Sequence, residues 1–232
     1  MKPIGLIGGM SWESTVSYYE AMNRLVRTRK GGLHSLPVYM ASVDFAPYAH
    51  MQKEGDWNGI GRQLNQEALR LEKAGAEAIV LATNTMHAVA DDIASGLSIP
   101  FLHIGDVAAK KISSQGLKTV GLLGTSFTME QPFYHERLNA NGIQTLIPSE
   151  EDRIFIHDAI FTELCMGVFK HETKARFLAI MDRLRQDGAE GIVLGCTEIP
   201  LLIKEGDTDM PLFNTPEIHA EEAVAFATAD PF

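Results

Sequence analysis

Of 232 residues only two are cysteine, Cys165 and Cys196, so the chain can close at most one disulfide and must hold its fold by burial instead. Reduced thiols are the expectation. Basic residues are also scarce, 20 Lys and Arg against 30 Asp and Glu, and they form no cluster along one face. A net charge of -10 without a basic stripe excludes a phosphate-backbone partner, so no nucleic acid is expected. No stretch of 18 apolar residues and no signal-like N-terminal segment occurs, which argues against a membrane span and for a cytoplasmic protein. Eight histidines fall into no HExxH or Cys/His spacing, so no metal is expected. The dinucleotide fingerprint G-x-G-x-x-G with its acidic partner is missing as well, although Gly5, Gly8 and Gly9 form a loose imitation of it.

What the chain does have is alternation. Short apolar runs at 4–8, 37–44, 77–82 and 99–104 are separated by helical patterns, and the second half repeats the rhythm at 119–124, 143–148, 191–195 and 210–214. That pattern predicts α/β units with a largely parallel sheet. Asn58 to Lys73 carries Ile60, Leu64, Ala68 and Leu71 at helical spacing and stops before Gly75; Lys174 to Gln186 carries Phe177, Ile180, Met181 and Leu184 and stops before Gly188.

The two halves resemble each other in letters too. "GAEAIVLATN" from Gly75 aligns without a gap with "GAEGIVLGCT" from Gly188, with six of ten positions identical and Thr83 opposite Cys196. "GLIGG" from Gly5 answers "GLLGT" from Gly121, and Tyr18-Tyr19 answers Phe133-Tyr134. Two similar α/β lobes related by a pseudo-twofold axis explain these repeats. The expected division is 1–105 with the helical tail 216–232 packing back on it, and 106–215 for the second lobe, with the active site in the cleft between lobes.

In open α/β sheets ligands collect beyond the carboxyl ends of the strands. Four turns hold such places: Gly8 to Ser11, Thr83 to Met86, Gly124 to Thr128, and Gly195 to Glu198. Cys196, between a strand and a helix, has a route to activation, because a helix N-terminus favours the thiolate. Thr83 across the cleft supplies a hydroxyl for the opposite face of a bound carbon, and two opposed groups of this kind fit inversion of a stereocentre. Alone, Thr83 reads as a helix N-cap and Cys165 as packing. His87 reads first as a buried, hydrogen-bonded imidazole and second as a catalytic one. Glu198 reads as a charge on its helix N-terminus whose side chain points away from Cys196, since a carboxylate there would raise the thiol pKa.

Five short motifs, "GLIGGMSWEST" at 5–15, "TNTMH" at 83–87, "GTSFTME" at 124–130, "FY" with "RL" at 133–138 and "GCTEI" at 195–199, occur in order over nearly the whole chain. In these the sequence resembles the aspartate/glutamate racemases that work without pyridoxal phosphate, with its nearest likeness to the bacterial L-aspartate/glutamate-specific group. The resemblance implies a cofactor-independent two-base racemase that turns L-aspartate or L-glutamate into the D-form. Cys196 and the residue at 83 would flank the α-carbon. It also implies substrate contacts from Met10, Gln52, Thr83, Asn84 and Thr85, and a homodimer; hydroxyls of Thr125, Thr128 and Thr197 at the other turns add to these contacts. Most relatives carry cysteine where this chain has Thr83. A threonine is a poor base and a better donor, so removal of the α-proton by Cys196 from the L-enantiomer is expected to outpace the reverse direction. Relatives also carry an arginine near position 48 and a lysine near 165, where this chain has Tyr48 and Cys165. Two other readings remain open: a single-thiol decarboxylase or isomerase of a related dicarboxylate, and a binding protein without turnover.

Overall fold

The computed structural model describes residues 1–229. In chain order the elements are β1 (Ile4–Gly8), α1 (Trp12–Lys30), β2 (Val38–Ser42), α2 (Phe45–Glu54), α3 (Trp57–Lys73), β3 (Ala78–Leu81), a 3-10 turn at Thr85–Val89, α4 (Ala90–Ala94) and β4 (Phe101–Leu102). There follow α5 (Ile104–Ser114), β5 (Thr119–Gly124), α6 (Ser126–Glu130), α7 (Pro132–Ala140), β6 (Gln144–Leu146), α8 (Glu150–Thr162) and a 3-10 turn at Leu164–Met166. The last are α9 (His171–Gln186), β7 (Gly191–Gly195), α10 (Ile199–Leu202), β8 (Leu212–Asn214) and α11 (Thr215–Thr228). Every strand lies within one of the apolar runs read from the sequence.

The chain divides into two compact units, one made of residues 1–104 with the described residues from His219 onward, the other of Gly105–Ile218. Each contains one four-stranded, all-parallel sheet, in the order β2-β1-β3-β4 in the first and β6-β5-β7-β8 in the second. The order is the same, so the letter repeat is a repeat of topology. Central strands β1, β3 and β7 are buried at every position, which is why they read as continuous apolar runs rather than as alternation.

In the first unit one sheet face packs Ile4, Leu6, Ala78 and Val80 against Tyr18, Met22 and Val26 of α1 and Ala220, Ala223, Val224 and Ala227 of α11. Of the tail 216–232, residues 230–232 lie outside the described residues. The other face packs Ile7, Ile79 and Leu81 against Ile60, Leu64, Ala68 and Leu71 of α3. Each such fully buried Leu or Ile contributes about 2 kcal/mol of transfer free energy. The second unit's core gathers Ile192 and Leu194 of β7 with Phe177, Ile180, Met181 and Leu184 of α9. Among the described residues no helix is long and apolar enough to cross a membrane.

Both sheets place their carboxyl ends by close backbone approach. Gly9, at the exit of β1, has φ +95, and a Cβ there would lie 2.1 Å from the Val43 carbonyl oxygen. Only glycine lets β1 turn into α1 beside β2.

Candidate active site

Each unit is built separately, from its own turns. In the first, β1 delivers Met10 and Ser11, and β3 delivers Thr83, Asn84 and Thr85; β1 and β3 are paired neighbours, so these turns emerge side by side at the carboxyl end of the sheet. Ser11 caps α1, its hydroxyl accepting from the Ser14 amide at 3.3 Å. Met10 is buried in the same cluster as Tyr48 and Met86. Gln52, on the last turn of α2, is buried. Thr83 is likewise buried. It is not the helix cap that the sequence suggested, because Asn84 takes the N-cap position of the 3-10 turn, without a side-chain capping bond.

His87 stands directly beneath this turn. A carbonyl can only accept, so His87 Nδ1 donates to the Thr83 carbonyl at 2.8 Å, and Nε2 accepts from the Ile104 amide at 3.2 Å. Both nitrogens are engaged, which fixes the neutral tautomer. Burial first, then the nearby His103 and His219, holds the His87 pKa well below the ordinary imidazole value. The His103 ring lies 4.6 Å from it, centroid to centroid. His87 therefore shapes the Thr83 backbone as a neutral strut.

In the second unit β5 and β7 pair through Gly124 and Gly195, and their turns carry the remaining candidates. Thr125 caps α6, its hydroxyl accepting from the Thr128 amide at 3.3 Å, and the two hydroxyls lie 3.3 Å apart. A Cβ on Gly195 would meet the Thr128 methyl at 3.2 Å, so that threonine covers the glycine step before Cys196. His157 of α8 accepts through Nδ1 from both the Ser126 amide at 3.2 Å and the Ser126 hydroxyl at 3.0 Å, a support 31 residues away that no local spacing announces.

Cys196 departs from expectation in two respects. Glu198 does not point away: the Cys196 thiol donates to Glu198 Oε2 at 3.0 Å, and the Thr197 hydroxyl donates to the same oxygen at 2.8 Å. Glu198 sits at the N-cap of α10 without a side-chain capping bond, and its carboxylate, 3% exposed, lies against the thiol and hydroxyl that donate to it. Nor is the thiol activated by a helix N-terminus, since α10 spans only four residues and begins at Ile199. Burial, the Glu198 charge and the neighbouring Cys165 raise the Cys196 pKa well above the ordinary thiol value. The resting group is a neutral thiol hydrogen-bonded to a carboxylate. Cys165, on its 3-10 turn, packs partly buried against the core cluster that contains Cys196.

A family model described as Asp/Glu/Hydantoin racemase matches residues 7–223. The chain belongs to this racemase family. Among solved structures it is similar to a candidate Asp/Glu racemase from Yersinia pestis, at 44% identity and TM-score 0.92, covering 99% of this chain and all of that one. It is also similar to an aspartate racemase homologue from Pyrococcus horikoshii OT3, at 35% identity and TM-score 0.87 over 99% and 100% of the two chains. The broad specificity amino-acid racemase RacX of Bacillus subtilis is 24% identical over 96% of each chain. The matched span takes in both Thr83 and Cys196, together with Gln52 and Glu198.

Proposed function

We propose that this member of the racemase family inverts the α-carbon of an acidic amino acid, L-aspartate or L-glutamate, by two-base proton transfer without a cofactor. The observation that carries the reading is the bond from the Cys196 thiol to Glu198. A thiol whose ionisation is suppressed by burial needs a local acceptor for its proton, and Glu198 is in contact with it. In the forward direction the thiol proton passes to Glu198, and the thiolate removes the α-hydrogen of the L-enantiomer. Thr83 gives its hydroxyl proton to the opposite face. Glu198 then releases its proton to solvent and Thr83 recovers one, which closes the cycle.

Met10, Gln52, Asn84 and Thr85 from one unit and Thr125, Thr128 and Thr197 from the other are the proposed substrate contacts. Gln52 is buried on the last turn of α2 within the span that the family model matches, which supports its place among them. A homodimer belongs to the same reading.

A second reading of the substrate rests on the same residues. None of these contacts is lysine or arginine, and Tyr48 and Cys165 stand where the family resemblance implies cations. A site without a cation accepts uncharged polar side chains at least as readily as a second carboxylate, and one relative bears the name of a broad specificity racemase.

Proton NMR in deuterium oxide tests both. Loss of the α-hydrogen signal with growth of the opposite enantiomer, abolished by Cys196→Ser, supports racemisation; carbon dioxide release from a dicarboxylate supports the decarboxylase, and binding without exchange supports a non-catalytic protein. A panel running from aspartate and glutamate to uncharged polar amino acids ranks the substrate classes.

A further inference from the structure

The two units fasten their first turns by different means. After β1 the turn is held from within its own helix: the Gly9 amide donates to the Thr15 hydroxyl at 2.8 Å, and that hydroxyl donates to the Ser11 carbonyl at 2.9 Å. Neither bond involves a group that titrates near neutral pH. In the second unit the turn after β5 is held from another helix, by His157 of α8. A backbone amide can only donate, so the 3.2 Å contact from the Ser126 amide requires an unprotonated Nδ1, and the Ser126 hydroxyl at 3.0 Å must donate to it as well. We infer that His157 is a positioning residue for the substrate: as a neutral imidazole it fixes the turn from Thr125 to Thr128, and its protonation in acid releases that turn and weakens substrate binding. That role rests on the reading above, in which Thr125 and Thr128 touch the amino acid.

Helix α6 spans only five residues, too few to hold its own first turn, so the fastening must come from outside it. Thr125 takes the N-cap and Ser126 follows directly, so a bond to Ser126 fixes the direction in which the Thr125 hydroxyl faces Thr128. The imidazole has little room to turn, because the rings of Phe127 and Phe161 lie 5.9 and 4.9 Å from it, centroid to centroid. Burial disfavours its cation and holds the His157 pKa below the ordinary value of 6.5, while the charges of Asp158 on α8 and Glu130 on α6 pull the other way. Glu130 is itself paired with Arg153 at 2.8 Å, which offsets part of its field. Above pH 6.5 the imidazole is therefore neutral and the turn is held. As the pH falls through the depressed pKa, Nδ1 gains a proton, and the two Ser126 donors face a third donor with no lone pair between them.

Racemisation of L-aspartate and L-glutamate from pH 8 to pH 5 by the wild type, His157→Leu and His157→Asn tests the role. The asparagine amide oxygen falls near the place of Nδ1, accepts from both donors and does not titrate. His157→Leu should raise KM about tenfold at every pH and change kcat less than about twofold, because Thr125 and Thr128 bind the substrate without carrying its proton. The wild type should show that rise in KM only on the acid side, and His157→Asn should keep the low KM throughout. Amide hydrogen exchange in the substrate-free protein gives a readout that needs no turnover. Ser126 should be protected in the wild type and His157→Asn and unprotected in His157→Leu, with the Gly9 amide protected in all three. Equal exchange at Ser126 in the wild type and His157→Leu overturns the inference, as does an acid rise in KM that persists in His157→Asn. The second comparison remains decisive if His157→Leu fails to fold. A protected Ser126 in a protein that turns over neither amino acid overturns the acidic-substrate reading alone and leaves the hold of His157 on the turn standing.

Discussion

The Cys196 thiol donates a hydrogen bond to the carboxylate of Glu198, two residues further on, with both side chains buried. Geometry ties the fate of the thiol proton to that carboxylate. In Glu198→Gln the negative charge that helps raise the thiol pKa is gone, while the larger cause, burial, stays. The thiol pKa should fall but remain above the ordinary value. Cys196 should then alkylate faster with iodoacetamide at pH 8, while α-hydrogen exchange falls by about 10²-fold through loss of the proton acceptor. A merely structural Glu198 would lower both rates together.

Acid should weaken the first unit before it touches Cys196. His219 is fully buried, its Nε2 donating to the Leu102 carbonyl at 2.7 Å and its Nδ1 accepting from the Tyr18 hydroxyl at 3.0 Å. Burial lowers its pKa from 6.5 to about 4, and burial with His103 and His219 nearby lowers that of His87 further below the ordinary value. Depressed pKa values mean that the unfolded chain binds these protons first. The stability is complete above pH 6.5 and is lost as the pH falls toward 4, by about 3 kcal/mol for His219 alone. Urea unfolding at pH 7 and pH 4.5 measures this, and His219→Gln should flatten the pH dependence.

The parallel sheets were readable because β1, β3 and β7 are buried on both faces and so appear as unbroken apolar runs, with a glycine at the exits of β1 and β7. The doubling was readable because Thr83 and Cys196 occupy equivalent turns. The direction of the Glu198 side chain was not: sequence position sets it two residues past the thiol, but burial among the Cys196 thiol and the Thr197 hydroxyl, a tertiary circumstance, decides which way it turns. His219 was hidden for a different reason. Its partners Tyr18 and Leu102 are 201 and 117 residues away, and nothing in local spacing links them.

Tyr18 and Tyr134 are equivalent in the repeat, 116 positions apart, and both are fully buried. Their hydroxyls differ. Tyr18 has His219, whereas Tyr134 has no hydrogen-bond partner among the described residues. Tyr18→Phe should therefore cost about 1–3 kcal/mol by stranding a buried imidazole nitrogen, and Tyr134→Phe should be neutral or stabilising. Equal losses in parallel denaturant melts would contradict this contrast.

Thr83→Val gives the sharpest view of the second base, since it removes the hydroxyl and keeps the shape. The backbone of the turn should survive, because His87 grips the Thr83 carbonyl and not its side chain. On the two-base reading Cys196 still removes and returns the α-proton of the L-enantiomer, so deuterium should enter without inversion. Exchange from the D-enantiomer, which needs the group at 83, should vanish. Thr83→Cys supplies a stronger acid and a usable base at the same place, and exchange from the D-side should rise above the wild type. Proton NMR with each enantiomer separates the outcomes. Full inversion by Thr83→Val would move the second proton transfer to another group, with water held by Asn84 and Thr85 the nearest substitute.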